Sequence, residues 1–382
     1  MARSVAPTTE LELAETIAGS DGFFLQGSGS KSGLGRLLQG KPILSLKAFN
    51  GIEIYEPEEL VLEAGAATPL RNIQKALDAK SQMLAFEPPD YSHLWSGKAL
   101  GSLGGLVACG FSGPRRIKAG ALRDHILGAR GVTGRGEIFK AGARVVKNVT
   151  GYDMPKLVAG SFGTLAALTS ITMKVLPAPE TEETICVAGL SDAQAIAVMS
   201  QALQSSTEVS AAAHVPGQAT YLRLEGIAVS VKARREKLRA LLSLRSDIMD
   251  AKASRSLWAT IRDCKILPMT DDHCLWRISV APSEGGVVAA RIAQQVHAKF
   301  HFDWGGGLIW MAIAGKADGG AAVIRNSFTE GHATLFKAPD AVRETAAVFH
   351  PQAAAAAALT RRIKLAFDPQ QKLNASLMYE GV

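Results

Sequence analysis

Apolar residues come in short runs broken by glycine, and the spacing within each run predicts the first elements. Leu11, Leu13, Ile17 and Ala18 predict a weak helix over residues 10–19. Phe23, Phe24 and Leu25 read as a strand that stops at Gln26 and opens into Gly27-Ser28-Gly29-Ser30-Lys31-Ser32-Gly33. Further short apolar runs fall at 43–46 and 60–64, and Leu70, Ile73 and Leu77 share one helical face behind Pro69. Strands are predicted at 126–132 and 166–176, and Pro177 and Pro179 mark a boundary.

Beyond that boundary, residues 184–244 and 275–337 read as two loose copies of one β-α-β plan. The first copy has a strand at 185–188, a helix carrying Ile196, Met199 and Leu203, a strand pair at 221–224 and 228–231, and a helix carrying Leu238, Leu241 and Leu242. The second has an alternating strand through Trp276, Ile278 and Val280, then a helix with Val288, Ile292, Val296 and Phe300 on one face, then a strand at 308–314. Such a plan predicts an antiparallel sheet with helices on one side. Pro339 marks a second boundary, and a last helix is predicted over 352–366.

Composition narrows the class. The chain has 382 residues, two domains' worth at ~150 residues each. Its 37 glycines are densest between Gly27 and Gly163, which signals tight turns or close backbone approach to a ligand. Net charge is +7, but the basic residues are dispersed, which argues against a nucleic-acid or membrane surface. Cys109, Cys186, Cys264 and Cys274 form no C-x-x-C pair, so neither an iron–sulfur cluster nor a zinc ribbon is expected, and a reducing compartment is. Residues 1–15 lack the apolar core of a signal peptide and no stretch reaches 18 apolar residues, so the expectation is a cytoplasmic chain whose membrane contact, if any, comes through partners.

The first glycine loop is neither common nucleotide fingerprint. After Gly27 and Gly29 the third glycine is Gly33, one residue too far for G-x-G-x-x-G. Gly40-Lys41 is followed by Pro42, which removes the metal-binding hydroxyl of a P-loop. What remains is a Gly/Ser run whose N–H groups suit one anion, with Lys31 for charge, or simply a flexible loop. Two further clusters bear on that choice: Gly101-Ser102-Leu103-Gly104-Gly105-Leu106-Val107-Ala108, and Lys147-Asn148 to Gly151-Tyr152-Asp153, continuing to Gly160-Ser161-Phe162-Gly163.

With these clusters in order, the chain resembles the FAD-binding superfamily of vanillyl-alcohol oxidase, UDP-N-acetylmuramate dehydrogenase and D-lactate dehydrogenase. Within it, Phe86-Glu87-Pro88-Pro89, Ser112-Gly113-Pro114-Arg115-Arg116, Lys147-Asn148 with Gly151-Tyr152-Asp153, Asp303-Trp304-Gly305-Gly306, and Phe367-Asp368-Pro369 with Leu373-Asn374 resemble the E subunits of bacterial glycolate oxidases. The resemblance implies an α+β chain: a two-lobed PCMH-type FAD-binding domain over 1–179, an antiparallel-sheet α+β cap over 180–338, and a segment over 339–382 returning to the FAD domain. It implies non-covalent FAD, since loop 26–35 has no histidine or cysteine. Gly27, Ser28, Gly29, Ser30, Lys31 and Ser32 would wrap the pyrophosphate. Gly101, Ser102, Gly104, Gly105 and Ala108 would line the dinucleotide's other side. Pro89, Gly113, Arg116, Gly151, Tyr152, Gly160, Ser161 and Gly163 would lie nearby.

The implied activity is flavin-mediated oxidation of a small 2-hydroxy acid, glycolate or D-lactate, to a 2-oxo acid. The implied partners are a second flavoprotein subunit and an iron–sulfur subunit. A stand-alone hydroxy-acid dehydrogenase and a non-catalytic flavin-fold scaffold are the alternatives. No catalytic base is assignable. The histidine-rich segment of the related catalytic subunit has no counterpart here, and His297 and His301, four apart on a predicted helix without an H-E-x-x-H glutamate, read as a solvated face and not a metal pair. Arg115, Arg116, Lys118 and Arg123 read either as anion-stabilising groups or as surface charges. Trp304 before three glycines reads as a cap hairpin or a tight turn with a core anchor. Asn374 is followed by Ala375-Ser376 where relatives have Pro-Gly, a change expected to affect the terminal turn.

Overall fold

The computed structural model describes residues 4–37, 40–95, 101–143, 152–315 and 317–382. They divide into two compact units, one within Met1–Ser112, Ala121–Pro177 and Pro351–Val382, the other Gly113–Gly120 and Ala178–His350.

The first unit opens with β1 (Ser4–Val5), β2 (Phe24–Gln26) and β3 (Ile43–Ser45), a parallel sheet with β3 central. A second, antiparallel sheet has the order β4-β5-β9-β7-β8, built from β4 (Ile52–Glu56), β5 (Val61–Gly65), β7 (Ile126–Thr133), β8 (Ile138–Gly142) and β9 (Ala166–Lys174). β6 (Gln82–Met83) and β10 (Leu176–Pro177) pair as a short ribbon. β9 is central and buried on both faces from Ala166 to Met173, so its sequence shows no polar alternation, whereas the edge strand β8 alternates half-buried and exposed.

The helix Glu10–Ala18 joins the two sheets. Thr9 caps it, its hydroxyl accepting from Glu12 N–H at 3.1 Å. Leu13 and Ile17, fully buried at i and i+4, pack with Leu44 from the parallel sheet, Val132 and Ala167 from the antiparallel one, and Leu373. Each such burial stabilises the fold by roughly 1.5–3 kcal/mol. The predicted segments at 43–46, 60–64 and 70–77 appear as β3, β5 and the helix Leu70–Asp78.

Among the described residues of the second unit, eight strands form one sheet, β14-β11-β13-β12-β16-β17-β15-β18, with every neighbouring pair antiparallel. The strands are β11 (Thr181–Ala188), β12 (Ala211–Val215), β13 (Ala219–Gly226), β14 (Asp247–Met249), β15 (Cys274–Ser279), β16 (Ala298–Asp303), β17 (Leu308–Ile313) and β18 (His332–Lys337).

Three expectations change here. Residues 228–231 are the first turn of the helix Ala228–Leu242, not a strand. Gly226, at φ +142, ends β13, Arg234 donates to Glu225 O at 2.6 Å, and Val231, Leu238 and Leu242 form the buried helical face. The helix predicted through Phe300 stops at Ala293, and β16 follows, pairing with β17 over six positions. His301 is therefore a buried strand residue opposite Trp310, so it shares no helix face with His297. Finally, helices pack on both faces of the sheet. Trp258 and Ile261 of the helix Ala251–Arg262 cover Cys186, Ala211, Ala213 and Tyr221, while His214, pointing the other way, bonds Asp192 of the helix Asp192–Gln204 at 3.2 Å.

The chain then re-enters the first unit through the helix Ala354–Phe367. Lys364, on its last turn, is wholly buried and pairs with Asp368 at 2.8 Å. Its ammonium also donates to Thr164 O at 2.6 Å and Leu373 O at 2.9 Å, while Asp368 accepts from the N–H groups of Lys372 and Leu373.

Candidate functional site

β2 ends at Gln26, and the chain turns into the first glycine cluster. Among the described residues, no hydrogen bond takes up the backbone N–H groups of Gly27, Ser28, Gly29, Ser30 or Lys31. Successive unpartnered N–H groups such as these are available to an anion. Gly29 sits at φ +79, and a β-carbon there would meet Gln26 Nε2 at 2.7 Å, so the Gln26 side chain fixes the tight turn from within. Ser30 is buried, and its hydroxyl accepts from the Lys31 ammonium at 3.3 Å and from Ser28 Oγ at 3.3 Å.

The second cluster closes on the first. Ser102 caps the helix Leu103–Cys109, its hydroxyl accepting from Gly105 N–H at 3.4 Å. A β-carbon on Gly27 would lie 3.0 Å from Ser102 Oγ, and one on Gly101 would lie 3.1 Å from Lys31 Nζ. Gly105 stands in the same neighbourhood, 3.5 Å from Lys31 Nζ by that measure. Gly104 has a different job: its N–H donates to Ala66 O at 2.6 Å, and a β-carbon would press on Ala66 at 2.8 Å. The third cluster docks at the far end of the same helix. Val107 O accepts from Gly160 N–H at 3.0 Å, and Ala108 O from Phe162 N–H at 2.7 Å. Ser161 turns its hydroxyl inward to Val158 O at 2.8 Å, and Gly163, at φ +70, makes room for the Asn374 amide.

Electrostatics single out Lys31. Burial holds its ammonium below the ordinary lysine range, against the opposing pull of Cys109 and Asp90. Burial likewise pushes the Cys109 thiol up to about 11, with Lys31 pulling the other way. A cation whose desolvation is incompletely offset by its neighbours is one that a diphosphate would stabilise. Asp90 follows the buried Pro89 and accepts from Ser92 N–H at 3.0 Å. The described residues thus fit a dinucleotide diphosphate: free N–H donors, one half-buried cation and small residues around both.

Gly113 and Arg116 belong to the second unit. There Gly113 O accepts from Trp304 Nε1 at 3.0 Å, and the Arg116 guanidinium stacks 4.3 Å over the Trp304 ring. Trp304 is a buried anchor at a tight turn, with Gly305 and Gly306 at positive φ. Arg115 pairs with Glu225, Lys118 with Glu208 and Arg123 with Asp124. Tyr152 is 95% exposed, and Asp153 and Lys156 form a local ion pair at 2.9 Å. Gly151 lies outside the described residues. Reading the sequence missed the parts played by Ala66, Trp95 and Asn374, which contact the clusters from points distant along the chain, and by Gln26 within its own turn. Trp95 leaves room only for glycine at position 33.

Comparison with known proteins places this arrangement in a class. The FAD binding domain family matches residues 2–142. The chain belongs to the FAD-binding oxidoreductase family that includes bacterial glycolate oxidase subunits. It is 33% identical over 370 residues to glycolate oxidase subunit GlcE of Escherichia coli strain K12, covering 96% of this chain and 95% of that one. A D-lactate dehydrogenase of Anaerostipes hadrus is 36% identical over 156 residues, 40% of this chain and 31% of its own length. In fold, an alkyldihydroxyacetonephosphate synthase structure aligns with TM-score 0.68 over 97% of this chain and 75% of that chain, at 15% identity.

The cofactor of this family is FAD. Among the described residues no helix is long and apolar enough to cross a membrane, and no group of three or more His, Cys, Asp or Glu is arranged to hold a metal ion.

Proposed function

We propose that this chain is the FAD-binding subunit of a glycolate oxidase-type complex, holding FAD without a covalent bond and contributing to oxidation of a small 2-hydroxy acid to its 2-oxo acid. The observation that carries the cofactor part is the run of five free N–H donors at 27–31 beside the half-buried, partly desolvated Lys31. The reading as a subunit is supported by near full-length similarity to a protein named as one. Bound FAD would supply the hydride acceptor; the protein supplies binding and orientation.

The roles of the side chains follow from their placement. The N–H groups of residues 27–31 would hold the diphosphate oxygens, and the Lys31 ammonium would neutralise them. Gly101, Ser102 and Gly105 would let the dinucleotide approach the helix end, and Gly160 to Gly163 would border it from the other end of that helix. A second flavoprotein subunit and an iron–sulfur subunit would take the electrons onward, with glycolate or D-lactate as reductant.

The test is to purify the chain, record its visible spectrum, precipitate it with acid, and add glycolate or D-lactate anaerobically with and without partner subunits. Yellow protein that releases all its flavin into acid, and bleaches only with partners, agrees with the proposal. Bleaching by the chain alone makes it a self-sufficient dehydrogenase. A colourless chain that takes up no FAD refutes the cofactor assignment. Lys31→Met is expected to weaken FAD binding by about tenfold or more, the worth of one charge-assisted contact. An unchanged dissociation constant would remove Lys31 from the site.

A further inference from the structure

We infer that Asn374 is a positioning residue for the cofactor, its carboxamide tying the entry of the first glycine loop to the turn at 160–163. This rests on the reading of those two segments as FAD-binding. Asn374 Oδ1 accepts from Leu25 N–H at 2.8 Å, two residues before Gly27. Its Nδ2 donates to Phe162 O at 2.7 Å, between Ser161 and Gly163. The amide orientation is fixed by its partners, since a backbone N–H needs an oxygen opposite it and a carbonyl needs an N–H. The two segments lie far apart along the chain, and this one side chain bonds to both.

The surroundings hold the amide in place. Asn374 is 6% exposed and sits at φ +44, a left-handed conformation that asparagine tolerates. Its backbone N–H donates to Phe23 O at 3.1 Å, and its carbonyl accepts from Leu377 N–H at 3.0 Å. A β-carbon on Gly163 would stand 2.8 Å from Asn374 Nδ2, so the glycine is required by this amide's approach. Phe162 N–H in turn donates to Ala108 O, on the helix whose other end carries Ser102. The bonds of Asn374 therefore reach the third glycine cluster and the strand that enters the first directly, and the second cluster through Phe162.

A carboxylate of the same shape can accept from Leu25 but repels the Phe162 carbonyl, whereas a protonated carboxyl can serve both partners. The experiment compares wild type, N374D, N374S and K372M as full-length chains. Lys372→Met removes bonds from Lys372 Nζ to Ile17 O and Ala18 O, at 3.0 and 2.6 Å, without touching either loop, and so matches the structural cost alone. FAD dissociation constants and visible circular dichroism of the bound flavin are read at about pH 7.5 and 5.5, with melting of the flavin-free protein alongside.

The expected result is FAD binding weakened about tenfold in N374D, with an altered flavin dichroism and partial recovery at the lower pH. N374S, which keeps at most one of the two bonds, falls between wild type and N374D and shows no such recovery. K372M shows wild-type dichroism and affinity within about twofold of wild type at comparable melting loss. The inference is overturned if N374D and N374S bind FAD as wild type does, or lose affinity only in step with K372M and with unchanged dichroism. If wild type itself takes up no FAD, it is the cofactor reading that has failed.

Discussion

Replacing Lys364 with methionine tests whether the C-terminal clamp holds the first unit together. Lys364 and Asp368 are both 0% exposed, and each of the three ammonium hydrogens has a partner: Asp368 Oδ2, Thr164 O and Leu373 O. Methionine fills most of the volume but leaves a buried carboxylate and two carbonyls without their donor. Breaking a buried pair by removing one partner costs about 3–5 kcal/mol. Asp368 keeps two backbone N–H donors, from Lys372 and Leu373, which places the loss near the lower end, at about 3 kcal/mol. For units of this size that corresponds to a fall in melting temperature of roughly 6–12 °C.

Urea titration and calorimetry of the flavin-free chain measure it, and K364M/D368N should recover part of the loss by removing the stranded charge. The pH dependence carries a sign. Burial holds the Lys364 ammonium below its ordinary range, more than bonding to Asp368 raises it. Between its folded and unfolded values the unfolded chain holds more protons, so this group makes stability rise with pH there, and K364M should flatten that rise. A loss under about 1 kcal/mol, or a double variant no better than the single one, would refute the view of Lys364 as the hub of the clamp.

Two further outcomes follow from buried groups. Among the described residues neither ring nitrogen of His301 has a hydrogen-bond partner, and burial pushes its imidazole down to about 3. Its neutral form is fully compatible with folding above the unfolded value of 6.5, and stability is lost as pH falls below that. His301→Leu is therefore expected to stabilise by about 1–2 kcal/mol near neutrality and to weaken the acid dependence, read from urea midpoints at about pH 7.5 and 5. Destabilisation at the higher pH would show that the imidazole has a structural partner. Gly104→Ala would set a β-carbon 2.8 Å from Ala66 Cβ and 2.9 Å from Ala66 O, costing about 1–3 kcal/mol by overpacking. A melting curve identical to wild type would mean that the helix Leu103–Cys109 moves freely off β5.

Elements with a plain signal were legible from the start, as with the helical pair Leu13 and Ile17 or the strand at 166–174. Periodicity misled where two periods coincide. Val296 and Phe300 fit a helical stripe, yet Phe300 and Phe302 alternate with His301 and Asp303 on a strand. Val229 and Val231 alternate like a strand, but Arg234 reaching back to Glu225 O closes β13 and starts a helix. β12 is an alanine-rich strand with almost no pattern, and it becomes visible only through its pairing with β13.

At the site, glycine spacing marked the turns but not what lies against them. Gly33, Gly104 and Gly163 are glycine because Trp95, Ala66 and Asn374 occupy the missing β-carbon's place. Those partners lie distant in sequence, so no local motif announces them.

The path of the chain has a consequence for biosynthesis. The first unit begins near the N-terminus yet includes Pro351–Val382, and its core counts Leu373 among its members. A ribosome has therefore made the entire second unit before it delivers the last strap of the first. Nascent protein must carry an incomplete first unit while the second is being made, and a chain cut short before Pro351 lacks the strap that brings Leu373 into that core.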